Sequence, residues 1–321
     1  MKTEMQKVLN LTKFFSLHPS TNSAILYNFT KSSLIFLHNI HISWLQSINT
    51  KTSRHLPVFT VEKFTEGNKK TLPYGFIANH VIKHDDSTVL EHDTDDCASK
   101  NKSQLQLNLI VPHHTSMQYF IQWQRYRKYW WSSITTTPSL FAINEVKYEE
   151  EKADANIVAQ FPWGQHIVET ISMTSKAMGR DSSHLKCSMS LESAMFLLLL
   201  DGLINKKESE YLKLHRSMAP YKISFALDGN DTTNKSNLNG LAYLLHQRLK
   251  SKDILSCLPN FTLSLEQQIK ENLQLGVTYT AILSENTLTN GIFHLLNSST
   301  MLREDVHVAD FDSYASLICG K

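Results

Sequence analysis

The sequence predicts two folded parts, an α+β N-terminal part with antiparallel pairing and an α/β domain of about a hundred residues after Pro220. Three patterns carry this. Leu105, Leu107 and Leu109 alternate with Gln104, Gln106 and Asn108, the period of a half-buried strand. Phe120, Trp123, Arg127, Trp130 and Ile134 fall at three- and four-residue steps, one face of a helix over 116–134. After Ala219-Pro220 strands and helices alternate, which requires right-handed crossovers and parallel strands. A length of 321 residues accommodates about two domains of this kind.

Along the chain, residues 84–103 are dense in Asp, Ser and Lys and read as a solvated loop. The strand over 105–111 and the helix over 116–134 follow. Residues 147–154 form a charged connection, 157–161 a short strand, and 191–204 a helix apolar on nearly every side. In the second part 221–227 is a strand, 228–237 a polar turn and 238–250 an amphipathic helix. Residues 254–258 form a second strand. Ser264 with Gln267 is a capping box for the next helix, which Gly276 ends. Strands are expected over 277–283, 292–296 and 306–308, and Asp310 caps a final helix.

Composition narrows the function. Gly and Pro number 10 and 8, too few for a collagen-like or low-complexity chain. The longest apolar run, Ala194 to Leu200, is far short of the roughly 20 residues of a membrane span. Cys97, Cys187, Cys257 and Cys319 are widely separated, which fits a reducing compartment and neither a disulfide framework nor a zinc knuckle. Before residue 61 the sole acid is Glu4, against Lys2, Lys7, Lys13, Lys31, Lys51 and Arg54. Such an acid-poor, Ser/Thr-rich stretch suits a mitochondrial targeting segment over 1–40 or, more plainly, a basic N-terminal arm.

Motifs of catalysis are missing. The chain contains no G-x-x-x-x-G-K-S/T loop, no G-x-G-x-x-G and no G-x-S-x-G elbow. His80 and His84 have the spacing of zinc ligands on a helix but lack the glutamate of H-E-x-x-H, so two surface histidines is the better reading. Asp85, Asp86, Glu91, Asp93, Asp95 and Asp96 lack the spacing of a calcium loop. Gln122 to Trp131 interleaves bases and rings, so Arg125, Arg127 and Lys128 are candidates for phosphates while the tryptophans pack inward. Lys206 and Lys207 form a second basic candidate.

The last hundred residues resemble the anticodon-binding domain of class IIa aminoacyl-tRNA synthetases. The likeness rests on Leu275-Gly276-Val277-Thr278-Tyr279, Ile282-Leu283-Ser284-Glu285 and Thr287-Leu288-Thr289-Asn290-Gly291. Within that group the closer resemblance is to the accessory subunits of mitochondrial DNA polymerase gamma. It is carried by Lys128-Tyr129-Trp130-Trp131, Thr137-Pro138-Ser139, Phe161-Pro162-Trp163-Gly164, Leu199-Leu200-Asp201-Gly202 and Leu214-His215-Arg216, in the family's order over roughly 105–321. Class II enzymes hold ATP with an arginine of F-R-x-E and another of G-x-G-x-x-R. No F-R-x-E occurs here, and the helix start reads Ser190-Leu191-Glu192-Ser193-Ala194-Met195. Without those cations an adenylate transition state has no clamp.

The resemblance implies a degenerate class II synthetase-like α+β domain over 41–215 and an anticodon-binding-like α/β domain with a mixed five-stranded sheet over 216–321. It implies no enzyme, but a non-catalytic accessory subunit that raises processivity and primer–template DNA binding in mitochondrial DNA replication. The alternatives are a divergent synthetase-like protein and a tRNA-binding module. A hairpin over 287–295, with Leu288, Asn290, Gly291 and Phe293, would dock on the polymerase catalytic subunit. Arg125, Lys128, Lys206 and Lys207 would meet DNA. Vertebrate members dimerise through a helical insertion for which 105–201 has no room, so a monomer forming a 1:1 heterodimer is expected. No cofactor, metal or membrane is implied, and the location would be the mitochondrial matrix and its nucleoid.

Overall fold

The computed structural model describes residues 2–19, 25–52, 56–60, 71–85, 88–92, 102–175, 181–204, 211–229 and 232–320. The chain divides into two compact units. The first holds Met1–Asn10, Phe15–Phe29 and Leu37–Asp201; the second holds Leu11–Phe14, Thr30–Phe36 and Gly202–Lys321. The division thus falls after Asp201, whereas the sequence places it at 215/216.

The first unit begins with α1 (Lys2–Leu9), β1 (Phe15–His18), β2 (Ile25–Phe29), α2 (Lys31–Thr52, from Leu37 onward), β3 (Val58–Thr60), β4 (Tyr74–Ile77) and β5 (Leu90–His92). It continues with β6 (Gln104–Pro112), α3 (Ser116–Ile134), β7 (Phe141–Ile143), β8 (Lys147–Glu149), β9 (Lys152–Phe161), β10 (Gly164–Ser175), β11 (Ser182–Ser190) and α4 (Leu191–Ile204). β1, β2 and β5 form a small antiparallel sheet. The large sheet runs β3-β4-β6-β11-β10-β9-β7, with β8 also on β9, and only β3 and β4 pair in parallel.

Alternation builds this sheet. Leu105, Leu107 and Leu109 of β6, Leu185 and Cys187 of β11, and Ile171 of β10 are fully buried, while their neighbours Gln106, Lys186 and Ser172 are half-buried. A bulge between Ile167 and Glu169 breaks the period in β10, so that Val168 and Glu169 are both buried and Ile167 is exposed. Ile40, Trp44 and Ile48, at four-residue steps of α2, are fully buried.

One expectation for this unit is corrected. Residues 147–154 are a hairpin of β8 and β9, and β9 covers ten residues rather than the five foreseen. Of residues 1–40, the candidate targeting segment, the structure describes 2–19 and 25–40. Phe15 stacks on Phe196 at 5.1 Å, β1 pairs with β2, and Val8, Phe15, Tyr27 and Phe29 are buried. Of the expected loop over 84–103 the structure describes β5 and a few flanking residues, and Asp86, Asp93, Asp95, Asp96 and Cys97 lie outside the described residues.

The second unit holds β12 (Ile223–Asp228), α5 (Thr232–Ser251), β13 (Ser256–Cys257), α6 (Leu265–Gln274), β14 (Tyr279–Ser284), α7 (Glu285–Asn290), β15 (Ile292–Asn297), β16 (Arg303–His307) and α8 (Phe311–Cys319). The sheet order is β13-β12-β14-β15-β16, with the first three strands parallel and the last two antiparallel. Helices cover both faces. Leu238, Leu245 and Phe311 pack on one side with Phe225, Leu283 and Phe293, while Leu265 and Ile269 meet Ala226, Ile282 and Leu296 on the other.

β13 is two residues long, so beyond Ser224 the edge of β12 opposite β14 has no strand beside it. Side chains of α6 complete the ladder. The Leu227 amide donates to Gln268 Oε1 at 2.9 Å, and Gln268 Nε2 donates to the Leu227 carbonyl at 3.3 Å. One turn on, Asn272 Nδ2 donates to the Phe225 carbonyl at 3.1 Å and Asn272 Oδ1 accepts from Ser224 Oγ at 2.8 Å. Both amides are fully buried, and every bond they make removes a desolvated orphan.

The capping box of Ser264 and Gln267 is present, and Gly276 follows α6 at φ +70°. The polar turn over 228–237 is shortened, because α5 starts at Thr232. Asp310 occupies the N-cap of α8 but its side chain makes no capping bond. The expected hairpin over 287–295 is instead a short helix and a strand. Gly291 ends α7 at φ +75°, and the hairpin is formed by β15 and β16.

Candidate functional site

At the corner of α7 and β15, local hydrogen bonds shape the surface. The Ser284 amide donates to Thr287 Oγ1 at 3.0 Å, the Gly291 amide to the Thr287 carbonyl at 3.1 Å, and the Ile292 amide to Asn290 Oδ1 at 2.9 Å. Gly291 also accepts the Val308 amide at 2.8 Å. A Cβ at Gly291 would lie 2.6 Å from His307 Nε2, and its φ disfavours any L side chain. Leu288 and Asn290 are exposed. Phe293 is not: it is 1 % exposed, its ring edge-on to Phe311 at 5.0 Å. Strand alternation sends Phe293 inward and leaves its neighbour Ile292 at the surface, so Ile292 replaces it as the apolar surface residue of this corner.

Beside this corner, Asp228, Gly229, Ser284, Glu285 and Asn286 line an open cleft of about 260 Å³ at the carboxyl ends of β12 and β14. Its lining holds two carboxylates and no cation, which repels a phosphate backbone rather than attracting one.

On α3 the structure separates the basic candidates. Arg127 is 1 % exposed; its Nε lies 2.8 Å from Glu169 Oε1, its Nη1 donates to Ser47 Oγ at 2.8 Å, and its guanidinium lies over the Trp130 ring at 4.3 Å. Trp131 Nε1 donates to the other Glu169 oxygen at 2.8 Å. Arg127 is therefore an internal tie and not a phosphate contact. Arg125 and Lys128 are exposed. Lys206 and Lys207 lie outside the described residues.

No catalytic constellation assembles among the described residues. His84 turns away from metal chemistry: its Nε2 donates to Glu192 Oε1 at 2.8 Å, and Ser103 donates to both oxygens of Glu192. No group of three or more His, Cys, Asp or Glu is placed to hold a metal ion among the described residues. Burial pushes the Cys187 thiol well up and the Cys257 thiol up to about 11, so neither is a nucleophile near neutral pH. Among the described residues no helix is long and apolar enough to cross a membrane. The buried His84–Glu192 and Arg127–Glu169 pairs left no sequence signal, because their partners lie on separate elements.

No protein-family model matches the chain. It is similar to the mitochondrial DNA polymerase subunit gamma-2 of Drosophila melanogaster, with 26 % identity over 236 residues, 65 % of each chain. It is similar to the mitochondrial DNA polymerase subunit gamma-2 of Xenopus laevis, with 27 % identity over 61 % of this chain and 48 % of that one. The DNA polymerase subunit gamma-2 of Mus musculus is 24 % identical over 75 % of this chain and 59 % of its own. The chain thus spans about half to two thirds of the length of the curated relatives it matches.

Proposed function

We propose that this chain is a non-catalytic accessory subunit of the mitochondrial DNA polymerase, acting in mitochondrial DNA replication. The observation that carries the reading is its similarity to proteins named DNA polymerase subunit gamma-2 over 61–75 % of its length. The word "mitochondrial" in two of those names supports the location, which we place in the matrix nucleoid. The missing ATP-clamping arginines support a scaffold of class II synthetase type that carries no chemistry. A mostly antiparallel sheet in one unit and a five-stranded mixed sheet in the other are compatible with such a scaffold and an anticodon-binding-like domain.

Its partner is the polymerase catalytic subunit. The corner of exposed Leu288, Asn290 and Ile292 with half-buried Gly291 supplies a contact surface, with Phe293 packed on Phe311 beneath it. The chain joins as a monomer, one to one, and raises processivity by extending the grip on primer–template DNA. The tRNA-module alternative is disfavoured by the second unit, where ten Asp and Glu outnumber eight Lys and Arg from Ala219 onward. Sedimentation of the chain with the catalytic subunit tests the assembly. A one-to-one complex weakened by Leu288→Asp supports it; co-sedimentation unchanged by that substitution removes the proposed corner, and no complex at all removes the reading.

A further inference from the structure

We propose that the outer face of α3, with the end of α2, is a strip that binds the phosphodiester backbone of DNA. This names the nucleic-acid surface of the accessory subunit proposed above and rests on that reading.

The face is defined by what the helix leaves outside. Gln118, Ile121, Gln122, Arg125, Lys128 and Tyr129 recur at helical steps and are all exposed, while Phe120, Trp123, Arg127, Trp130 and Trp131 pack inward. α3 carries no Asp or Glu along its length. The buried cation, Arg127, is neutralised by Glu169. Among the described residues the two outer cations, Arg125 and Lys128, have no hydrogen-bond or ion-pair partner, so their charge is available to a polyanion. From Gln118 to Tyr129 the face runs about 16 Å, close to five nucleotide steps of one strand at about 3.4 Å each.

Rings accompany the charges. Tyr129 is 71 % exposed beside Lys128, and Lys51 of α2 sits 4.8 Å from the centroid of Tyr126. Tyr126 is held in turn by Gln122, whose Nε2 donates to its hydroxyl at 2.6 Å. A base that leaves the stack meets the open phenol ring of Tyr129 next to Lys128 in the chain, a ring and a cation being the combination by which single strands are bound without sequence preference. Duplex backbone meets the same cations without the stacking. The shared chemistry is the phosphate chain, and α3 is rigidly seated by the Arg127–Glu169 pair, so its outer side chains keep their spacing.

Fluorescence anisotropy of the full chain with a labelled single strand and with a labelled duplex, across a salt series, tests this. Arg125→Gln with Lys128→Gln is expected to weaken binding and to flatten the log–log salt slope by about 1.4 units on a single strand or about 1.8 on a duplex. Whichever arm shows the loss identifies the form of DNA, and Tyr129→Ala weakens the single-strand arm alone. The control, Lys250→Gln with Lys252→Gln, should change neither. An unchanged slope in the double variant, an equal loss in the control, or no DNA binding by the unsubstituted chain overturns the strip. So does loss of the catalytic subunit with DNA binding intact. In each of those outcomes a salt-resistant gain in processivity would still uphold the accessory role, so the two readings fail separately.

Discussion

Arg127 and Glu169 meet 2.8 Å apart beneath α3, both buried, one from a helix and one from the strand just past a bulge. The bulge at Val168 is what aims Glu169 at the helix. Its second oxygen takes the Trp131 indole, and the arginine also holds Ser47. Removing either charge leaves the other desolvated and alone, so Arg127→Met or Glu169→Leu should each destabilise by about 3–5 kcal/mol. The double substitution should lose less than the sum of the two. Urea denaturation of the four proteins measures this; strict additivity would show that the pair is not coupled.

The amide clamp of α6 makes a second expectation. Gln268→Ala would orphan the Leu227 amide, and Asn272→Ala would orphan the Phe225 carbonyl. Each orphan group costs about 1–3 kcal/mol. The loss should be accompanied by faster hydrogen exchange at the Leu227 amide, read by mass spectrometry or NMR. Unchanged exchange there would mean that water replaces the side chain.

Deleting residues 1–40 should abolish cooperative folding. Val8, Phe14, Phe15, Tyr27, Phe29 and Phe36 are all buried. At about 1.5–3 kcal/mol each their burial is comparable with the whole margin of about 5–15 kcal/mol. A truncated chain that still melts in one sharp transition would contradict this.

His184 ties stability to mild acid. Burial, and then the charge of Lys186, lower its pKa below the ordinary value of 6.5. The unfolded chain therefore takes up a proton near pH 6.5 that the folded chain refuses. The contribution is intact above that pH and is lost as pH falls from about 6.5 toward the folded value. His184→Gln, which keeps a donor for Asn108 Oδ1, should flatten this part of the pH–stability curve. A curve identical to that of the parent chain would assign the pH dependence elsewhere.

Periodicity exposed the elements whose core side chains sit at regular steps. The helix over 116–134 and the strand starting at Gln104 follow that rule, while the helix over 191–204 was legible from its continuous apolar run and the helix after Ser264 from its capping box with Gln267. β10 and β11 escaped it because a bulge interrupts the first and single apolar residues between Ser, Lys and His carry the second. Arg127 shows the limit most clearly. Its spacing with Trp123 and Trp130 marks a core position, its residue type marks a surface, and only Glu169, forty-two residues away, decides for the core. Phe293 obeys a related limit: the motif around Gly291 identifies the corner, but the pleat of β15 decides which side chain faces out.

The accessory role is tested most directly by primer extension with the mitochondrial polymerase catalytic subunit, with and without this chain, over a range of salt. The account predicts longer products per binding event, retained to higher salt when the chain is present. Products of unchanged length from a demonstrably active catalytic subunit would contradict it.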